Sequence, residues 1–364
     1  MRNDFFDILR QICEIPSPTF HEKKKSDFVA RLFYEAGLTT LQDDLFNVLA
    51  WSGESLPESI VVIEAHQDTV FDESTPLVWE EAGDTIKCPS VADNSVALAA
   101  LIDLADRHAS WPGVVFAATS REEGPGKGEG MRRVIEGILG TGRSIRYSIS
   151  LEGIPLGRIT YNGTGSIRAL ATVETAGGHP WLEPLSPSAV HLTGAIISKL
   201  IDHIGYRESP KTTLNIGTVS GGTIPTVRAS KCSFTIDLRS VNREILHETF
   251  QLCKRTAERL CSEAGADIFW EILGTRDPVS LIDEHDLVKT TKEIHRQLGI
   301  QSQIRPAATN ASVPLSMGLA AVTIGVCEGG KTHSKEEWIS RKGIETGLAQ
   351  IEKLLTRLCR IDSL

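Results

Sequence analysis

Apolar positions along this chain follow two alternating rhythms. Four short runs rich in β-branched residues have the length and continuity of strands buried on both faces: "SIVVIEA" (59–65), "GVVFAATS" (113–120), "IRYSISL" (145–151) and "AAVTIGV" (320–326). Other segments have helical period. "SVALAALIDLADRHA" (95–109) begins beside Asp93, Asn94 and Ser95, all candidate N-caps, and "SRKGIETGLAQIEKLLTRLCRI" (340–361) reads as a final helix. The N-terminal stretch reads as amphipathic helices flanking "IPSPT" (15–19). Strands alternating with helices predict an α/β fold.

The middle of the chain breaks this rhythm. From Ser166 to Gly274 the order is strand, helix, strand, strand, helix, strand: "SIRALATVETA", "SPSAVHLTGAIISKLIDHI", "TTLNIGTVSG", "SKCSFTIDLRS", "NREILHETFQLCKRTAERLCSEAG", "ADIFWEIL". This βαββαβ order is ferredoxin-like and long enough for a domain of its own. The expected architecture is a discontinuous α/β domain, residues 1–165 and 275–364, with a smaller α+β domain, 166–274, inserted.

Composition narrows the class only slightly. With 364 residues, 41% hydrophobic and 23% charged, the chain is ordinary globular material, and its net charge of -9 argues against nucleic acid or an anionic membrane as partner. No run approaches the roughly 18 apolar residues of a membrane span, and the N-terminus has no apolar core of signal-peptide type. The seven cysteines are scattered, odd in number and without a C-x-x-C pair, so reduced thiols in a cytoplasm are expected.

Candidate chemistry gathers where the strand-like runs end. After "SIVVIEA" come His66 and Asp68; after "GVVFAATS", Glu122 and Glu123; after "IRYSISL", Glu152; after "AAVTIGV", a glycine-rich loop and His333. Asp93 lies where a loop meets a helix start. In open α/β sheets the site forms outside the carboxyl ends of the strands, so these side chains would converge there. A lone acid after a strand more often caps a helix or faces solvent. Imidazoles and carboxylates converging from distant parts of the chain instead suit Zn²⁺, or less selectively Mn²⁺ or Co²⁺. His108, His191, His203, His247, His285 and His295 lie in helical stretches and read as surface or packing residues.

One motif competes. "GVCEGGKT" (Gly325–Thr332) fits the phosphate-binding loop G-x-x-x-x-G-K-[ST] and would imply an NTPase. Its context argues otherwise, because "HSKEEW" separates it from the next helix and no later strand can supply an acidic partner.

In order, "AHQDTV", "VADNSVALAAL", "REEG", "LEG", "GGHP", "TVSGG", "DLRS" and "THSKEEW" resemble the M20 family of metallopeptidases and amidohydrolases across nearly the whole chain. The resemblance implies a zinc-exopeptidase-like catalytic domain with a mixed, mostly parallel sheet, and an inserted lid that also makes a homodimer. It implies two Zn²⁺ ions, one held by His66 and Glu152, the other by Glu123 and His333, with Asp93 bridging. Asp68 would orient His66, and Glu122 would be the general base. His179 in "GGHP" would stabilise the oxyanion in the partner's site. Arg239 would meet a substrate carboxylate or form an ion pair within the lid.

The chain departs from the family pattern in places. Thr226 stands where an asparagine is common, Asn310 stands in "TNAS" where T-D-A is common, and Pro180 and Trp181 follow His179. Asn310 is still a candidate substrate contact. The implied substrate is a short peptide cut as an exopeptidase would cut it. Glu152, in contrast, resembles the deacylase members that act on N-acyl amino acids.

Overall fold

The computed structural model describes residues 4–359. Residues 1–3 of the N-terminal stretch, and Arg360 and Ile361 of the expected final helix, lie outside them. The described chain divides into two compact units, 4–161 with 280–359, and 162–279.

In the first unit the four apolar runs form strands Ser59–His66, Val114–Thr119, Ser144–Glu152 and Ala321–Gly325. They lie side by side and parallel, in the order 114–119, 59–66, 144–152, 321–325. Antiparallel strands Thr39–Gln42 and Val48–Trp51 extend one edge of the sheet, and Arg158–Thr160 and Gln303–Ile304 extend the other. Continuous hydrophobicity is what a strand covered on both faces requires. On one face lie helices Phe5–Glu14, Lys23–Glu35, Val96–Arg107 and Ile344–Cys359, whose Leu9, Phe33, Leu98, Leu101 and Leu355 are buried in one cluster with Val61, Ile63 and Phe116. Complete burial of such a side chain stabilises the fold by about 1.5–3 kcal/mol. Helix Glu129–Gly140 covers the other face through Met131, Val134, Ile135 and Ile138.

Because the central strands are parallel, His66, Thr119, Glu152 and Gly325 end at the same edge of the sheet. Two glycines allow close approach there. A Cβ on Gly153 would meet the carbonyl oxygen of Ala92 at 2.0 Å, and one on Gly130 would meet that of Ser120 at 2.0 Å.

The second unit is an antiparallel sheet in the order Tyr206–Arg207, Thr212–Gly221, Lys231–Ser240, Gly165–Glu174, Asp267–Arg276. Helices Ala189–Ile204 and Arg243–Glu263 pack on one face of it. Alternation sets which residues face them, so Ile167, Ala169, Ala171 and Val173 are buried while their neighbours are not. The unit begins four residues before, and ends five residues after, the expected 166–274.

Candidate metal centre

His66 and Glu152 are the last residues of their strands, and Asp68, Asp93, Glu122, Glu123 and His333 lie on the connections between elements. Strand Ser59–His66 delivers His66 buried, and the chain turns to bring Asp68 back beneath it. Nε2 of His66 faces Asp93 Oδ1 at 3.0 Å. Asp93 lies on a tight turn, Val91–Ser95, whose backbone is non-helical at Asp93 and Asn94 and leads into helix Val96–Arg107. The side chain of Asn94 ties this turn to the end of a sheet strand. Its Nδ2 donates to the Leu151 carbonyl at 2.8 Å, and its Oδ1 accepts the Gly153 N–H at 2.8 Å.

Glu122 and Glu123 follow strand Val114–Thr119, and both of their backbone N–H groups donate to Asp68, at 3.0 and 2.9 Å. The hydroxyl of Thr19 donates to the same carboxylate at 3.0 Å. His333 closes the group, with Nε2 at 3.1 Å from Glu123 Oε1 and 3.2 Å from Asp93 Oδ2. His333 holds φ at +64°, in the left-handed region that non-glycine residues rarely adopt and that tends to be retained at functional sites.

The ligand atoms of His66, Asp93 and Glu123 lie within 4.8 Å of one another, a spacing able to hold a metal ion. Glu152 stands outside that trio, with Oε2 at 3.7 Å from Arg158 Nη1. Electrostatics fit a donor set meant for cations. Burial opposes a charge on His66, yet Asp68 and Asp93 hold its imidazole well above the usual range. Asp93 and Glu123 push His333 up to about 10. Burial resists a charge on Asp93, but His333 and His66 keep it well below the usual carboxylate range. Burial raises Glu122 far above a normal carboxyl, with Glu152 and Glu123 adding repulsion, and it pushes Glu152 up to about 7 against the pull of Arg158. So many anions in one place call for compensating positive charge, and nitrogen with carboxylate oxygen is the set that zinc and its neighbours prefer.

The remaining expectations fall elsewhere. Asn310 is 3% exposed, and its Nδ2 donates to Glu64 Oε2 and Thr119 Oγ1 at 3.1 and 2.9 Å, so its donor faces inward rather than toward a substrate. In the second unit, Arg239 is ion-paired to Asp237 at 2.8 Å. His179 is exposed, and its Nδ1 accepts the N–H groups of Trp181 and Leu182 at 3.2 and 3.3 Å. That acceptor role places the proton of the neutral ring on Nε2, leaving a donor free.

The phosphate-loop alternative, which its sequence context already disfavoured, finds no support. Gly329 and Gly330 pair with Trp338 and Ile339 in an antiparallel hairpin, and no helix starts until Ile344, so the loop is not the helix N-terminus that cradles a phosphate. Two residues escaped the sequence reading. Glu337 is fully buried and accepts three backbone N–H groups of the Asp93 turn, and Glu64 is buried two residues before His66. Their signal was faint. It lay in the acid doublet "EEW" and in an acid inside an apolar strand.

The fold is a mixed α/β sheet with an inserted α+β unit, and imidazoles and carboxylates gather at the strand ends. The chain belongs to peptidase family M20/M25/M40, whose model matches residues 62–357. It is 26% identical to a probable carboxypeptidase of Aspergillus terreus over 65% of this chain and 60% of that protein. A probable carboxypeptidase of Ajellomyces dermatitidis is 27% identical over 63% and 59%. The chain thus spans about three-fifths of these relatives' length. A tripeptidase from Staphylococcus aureus shares the fold at a TM-score of 0.82 and 18% identity, with 98% of each chain covered. The aminopeptidase PepT from Bacillus cereus follows at 0.79 and 17%, with 96% of each covered. Bacillus subtilis YXEP, described as a dinuclear metal binding peptidase of the M20 family, superposes at 0.73 with 16% identity and 98% coverage of each chain.

Proposed function

We propose that this chain is a two-metal exopeptidase that cleaves an amide bond of a short peptide. The observation that carries the reading is Asp93, which turns Oδ1 to His66 at 3.0 Å and Oδ2 to His333 at 3.2 Å. A carboxylate with a different imidazole against each oxygen has the form of a bridge between two ions. His66 and Glu152 would hold one cation, and Glu123 and His333 the other. Zinc is the first choice for this donor set, with cobalt or manganese as substitutes. The cations, when bound, polarise the scissile carbonyl and make an attacking water acidic enough to ionise near neutral pH.

The chain's own groups do the rest. Glu122 takes the proton of the attacking water and passes it to the leaving amine, a task suited to a carboxyl whose affinity for protons is raised. His179, with its donor on Nε2, suits the oxyanion. Arg239 would meet a substrate carboxylate only by giving up Asp237. The peptide reading draws on the carboxypeptidase, tripeptidase and aminopeptidase named above. Glu152 favours an N-acyl amino acid as the second reading. A homodimer through the second unit is supported by its exposed Trp181 (85%) and Leu185 (96%), and by strand Thr212–Gly221, whose residues 215–221 pair on one side only among the described residues. Seven free cysteines suit a reducing cytoplasm.

Purified protein loaded with zinc or cobalt should hydrolyse some members of a panel of di- and tripeptides. Cleavage confined to N-acetyl or N-succinyl amino acids would replace the peptide reading with the deacylase one. Glu122→Ala should abolish turnover with metal content unchanged.

A further inference from the structure

Glu337 stands four residues beyond His333 in sequence and is fully buried, whereas its neighbour Glu336 is exposed. Its Oε2 accepts the N–H of Ser90 at 3.1 Å, and its Oε1 accepts those of Ala92 and Asp93 at 2.9 and 2.6 Å. These three donors converge because Ser90 adopts a left-handed conformation (φ +67°) and the backbone then winds into the start of helix Val96–Arg107. Successive N–H groups turned inward in this way make a nest for an anion. Here the acceptor is supplied from within the chain, about 245 residues away, on the same loop as His333. The backbone adds a further tie, with the Cys88 N–H donating to the Glu337 carbonyl at 3.3 Å.

The turn is thereby clamped from two sides. Asn94 fixes it to the end of strand Ser144–Glu152, and Glu337 fixes it to the His333 loop. The shortest of the three bonds is to the N–H of Asp93 itself, whose carboxylate reaches both imidazoles.

We infer that Glu337 is a positioning residue for the metal centre: its carboxylate locks the Asp93 turn to the His333 loop, so that the bridging carboxylate and the distant histidine keep a fixed separation. The inference rests on the two-metal reading proposed above. Glu337 is fully buried and acts through the backbone of Asp93. Three N–H groups converging on one buried carboxyl tie the turn to the loop at several points at once.

Glu337→Gln separates positioning from folding. The amide keeps the volume and one acceptor oxygen. If that oxygen faces Ala92 and Asp93, its NH₂ faces the Ser90 N–H, donor against donor. Metal-free wild type, Glu337→Gln and Glu337→Ala are titrated with Co²⁺ and followed by visible absorption, and their metal-free melting temperatures are measured alongside. The expected result is an about 10–100-fold weaker cobalt affinity in the variants, the range found for groups that orient metal ligands, with an altered visible spectrum even in a glutamine variant that melts near wild type. Cobalt binding of wild-type strength and spectrum in both variants would overturn the inference, whatever the melting temperatures. Should Glu337→Ala not fold, Glu337→Gln alone decides between these results. If the two-metal reading itself fails, the wild type takes up no cobalt, and the inference falls with it.

Discussion

Nδ1 of His66 lies 3.1 Å from the carbonyl oxygen of Asp68 and 3.5 Å from its carboxylate Oδ1. Both partners are acceptors, so Nδ1 carries a proton; Nε2 shares a second proton with Asp93 Oδ1 at 3.0 Å, and a bound cation would take the place of that proton. The same carboxylate accepts the backbone N–H groups of Glu122 and Glu123 and the Thr19 hydroxyl. One residue therefore sets a ring tautomer and the path of the turn that carries two further candidate groups. Asp68→Ala should lower kcat by about 100-fold or more, and weaken metal binding by about 10–100-fold. Steady-state kinetics with metal analysis of the same preparation would check this. Unchanged kcat with full metal content would show that the ring needs no such partner.

Exhaustive treatment with a chelator should abolish turnover, and zinc or cobalt should restore it. The cations should also stabilise the fold, because any ligand bound only by the native state does so by mass action. A single site held at about one hundred times its dissociation constant contributes about 2.7 kcal/mol. Calorimetry of metal-free and metal-replete protein should show a higher melting temperature with metal. His66→Ala should lose most of that increment. A melting temperature indifferent to zinc, cobalt and manganese would count against a metal centre.

The parallel strands were legible because a strand covered on both faces must be apolar throughout, and "SIVVIEA" and "AAVTIGV" are. The convergence of His66, Glu123, Asp93 and His333 then follows, since parallel strands bring their carboxyl ends to one edge. What stayed hidden were acids whose partners are backbone groups. Nothing in "KEEW" distinguishes Glu337, buried against three N–H groups, from exposed Glu336, because the turn that it fills lies far away in sequence. The donor of Asn310 was hidden for a related reason. A polar residue in a loop near a strand end looks available to ligand, while its donor is in fact consumed by a carboxylate buried inside a strand.

That buried set makes its own prediction. Glu64 Oε2 accepts from Thr119 Oγ1 at 2.8 Å and from Asn310 Nδ2 at 3.1 Å. Asn310→Asp would exchange the amide donor for a second carboxyl against the first. Two buried carboxylates cannot both ionise at contact distance, so one must take up a proton or the pair must separate. Loss of a buried hydrogen bond, with a group left unsatisfied, costs about 1–3 kcal/mol. Urea unfolding at neutral pH should show a loss of that size in Asn310→Asp, and a smaller difference near pH 4, where protonation supplies a donor again. An equal loss at both pH values would mean that repulsion is not the cause.

His295 supplies a test far from the metal centre. It is fully buried on helix Asp286–Gln297, with Nε2 at 2.6 Å from Gln350 Oε1 and Nδ1 at 2.9 Å from Ser302 Oγ. Gln350 in turn donates through Nε2 to the Gly325 carbonyl at 2.7 Å, so the ring joins two helices to a central strand. The amide oxygen can only accept, which makes the ring a neutral Nε2–H donor whose Nδ1 accepts from the serine. Burial lowers the affinity of His295 for protons below that of an exposed histidine, although the bond to Gln350 works against this. As pH falls through about 6.5, the unfolded chain takes up a proton at this position while the native ring stays neutral. Protons then bind more to the unfolded state, and the native state loses up to about 1.4 kcal/mol per pH unit from this group until its own lowered pKa is reached. Above about pH 7 the group has no pH-dependent effect. Replacing the ring by an uncharged side chain, as in His295→Gln, should lower stability at pH 7.5 through lost packing and hydrogen bonding. It should also flatten the decline in stability between pH 6.5 and 5.5 relative to wild type. Denaturant unfolding of both proteins across that interval isolates the group, because every other titration is common to the two. Parallel stability curves would mean that His295 takes up its proton equally readily in both states.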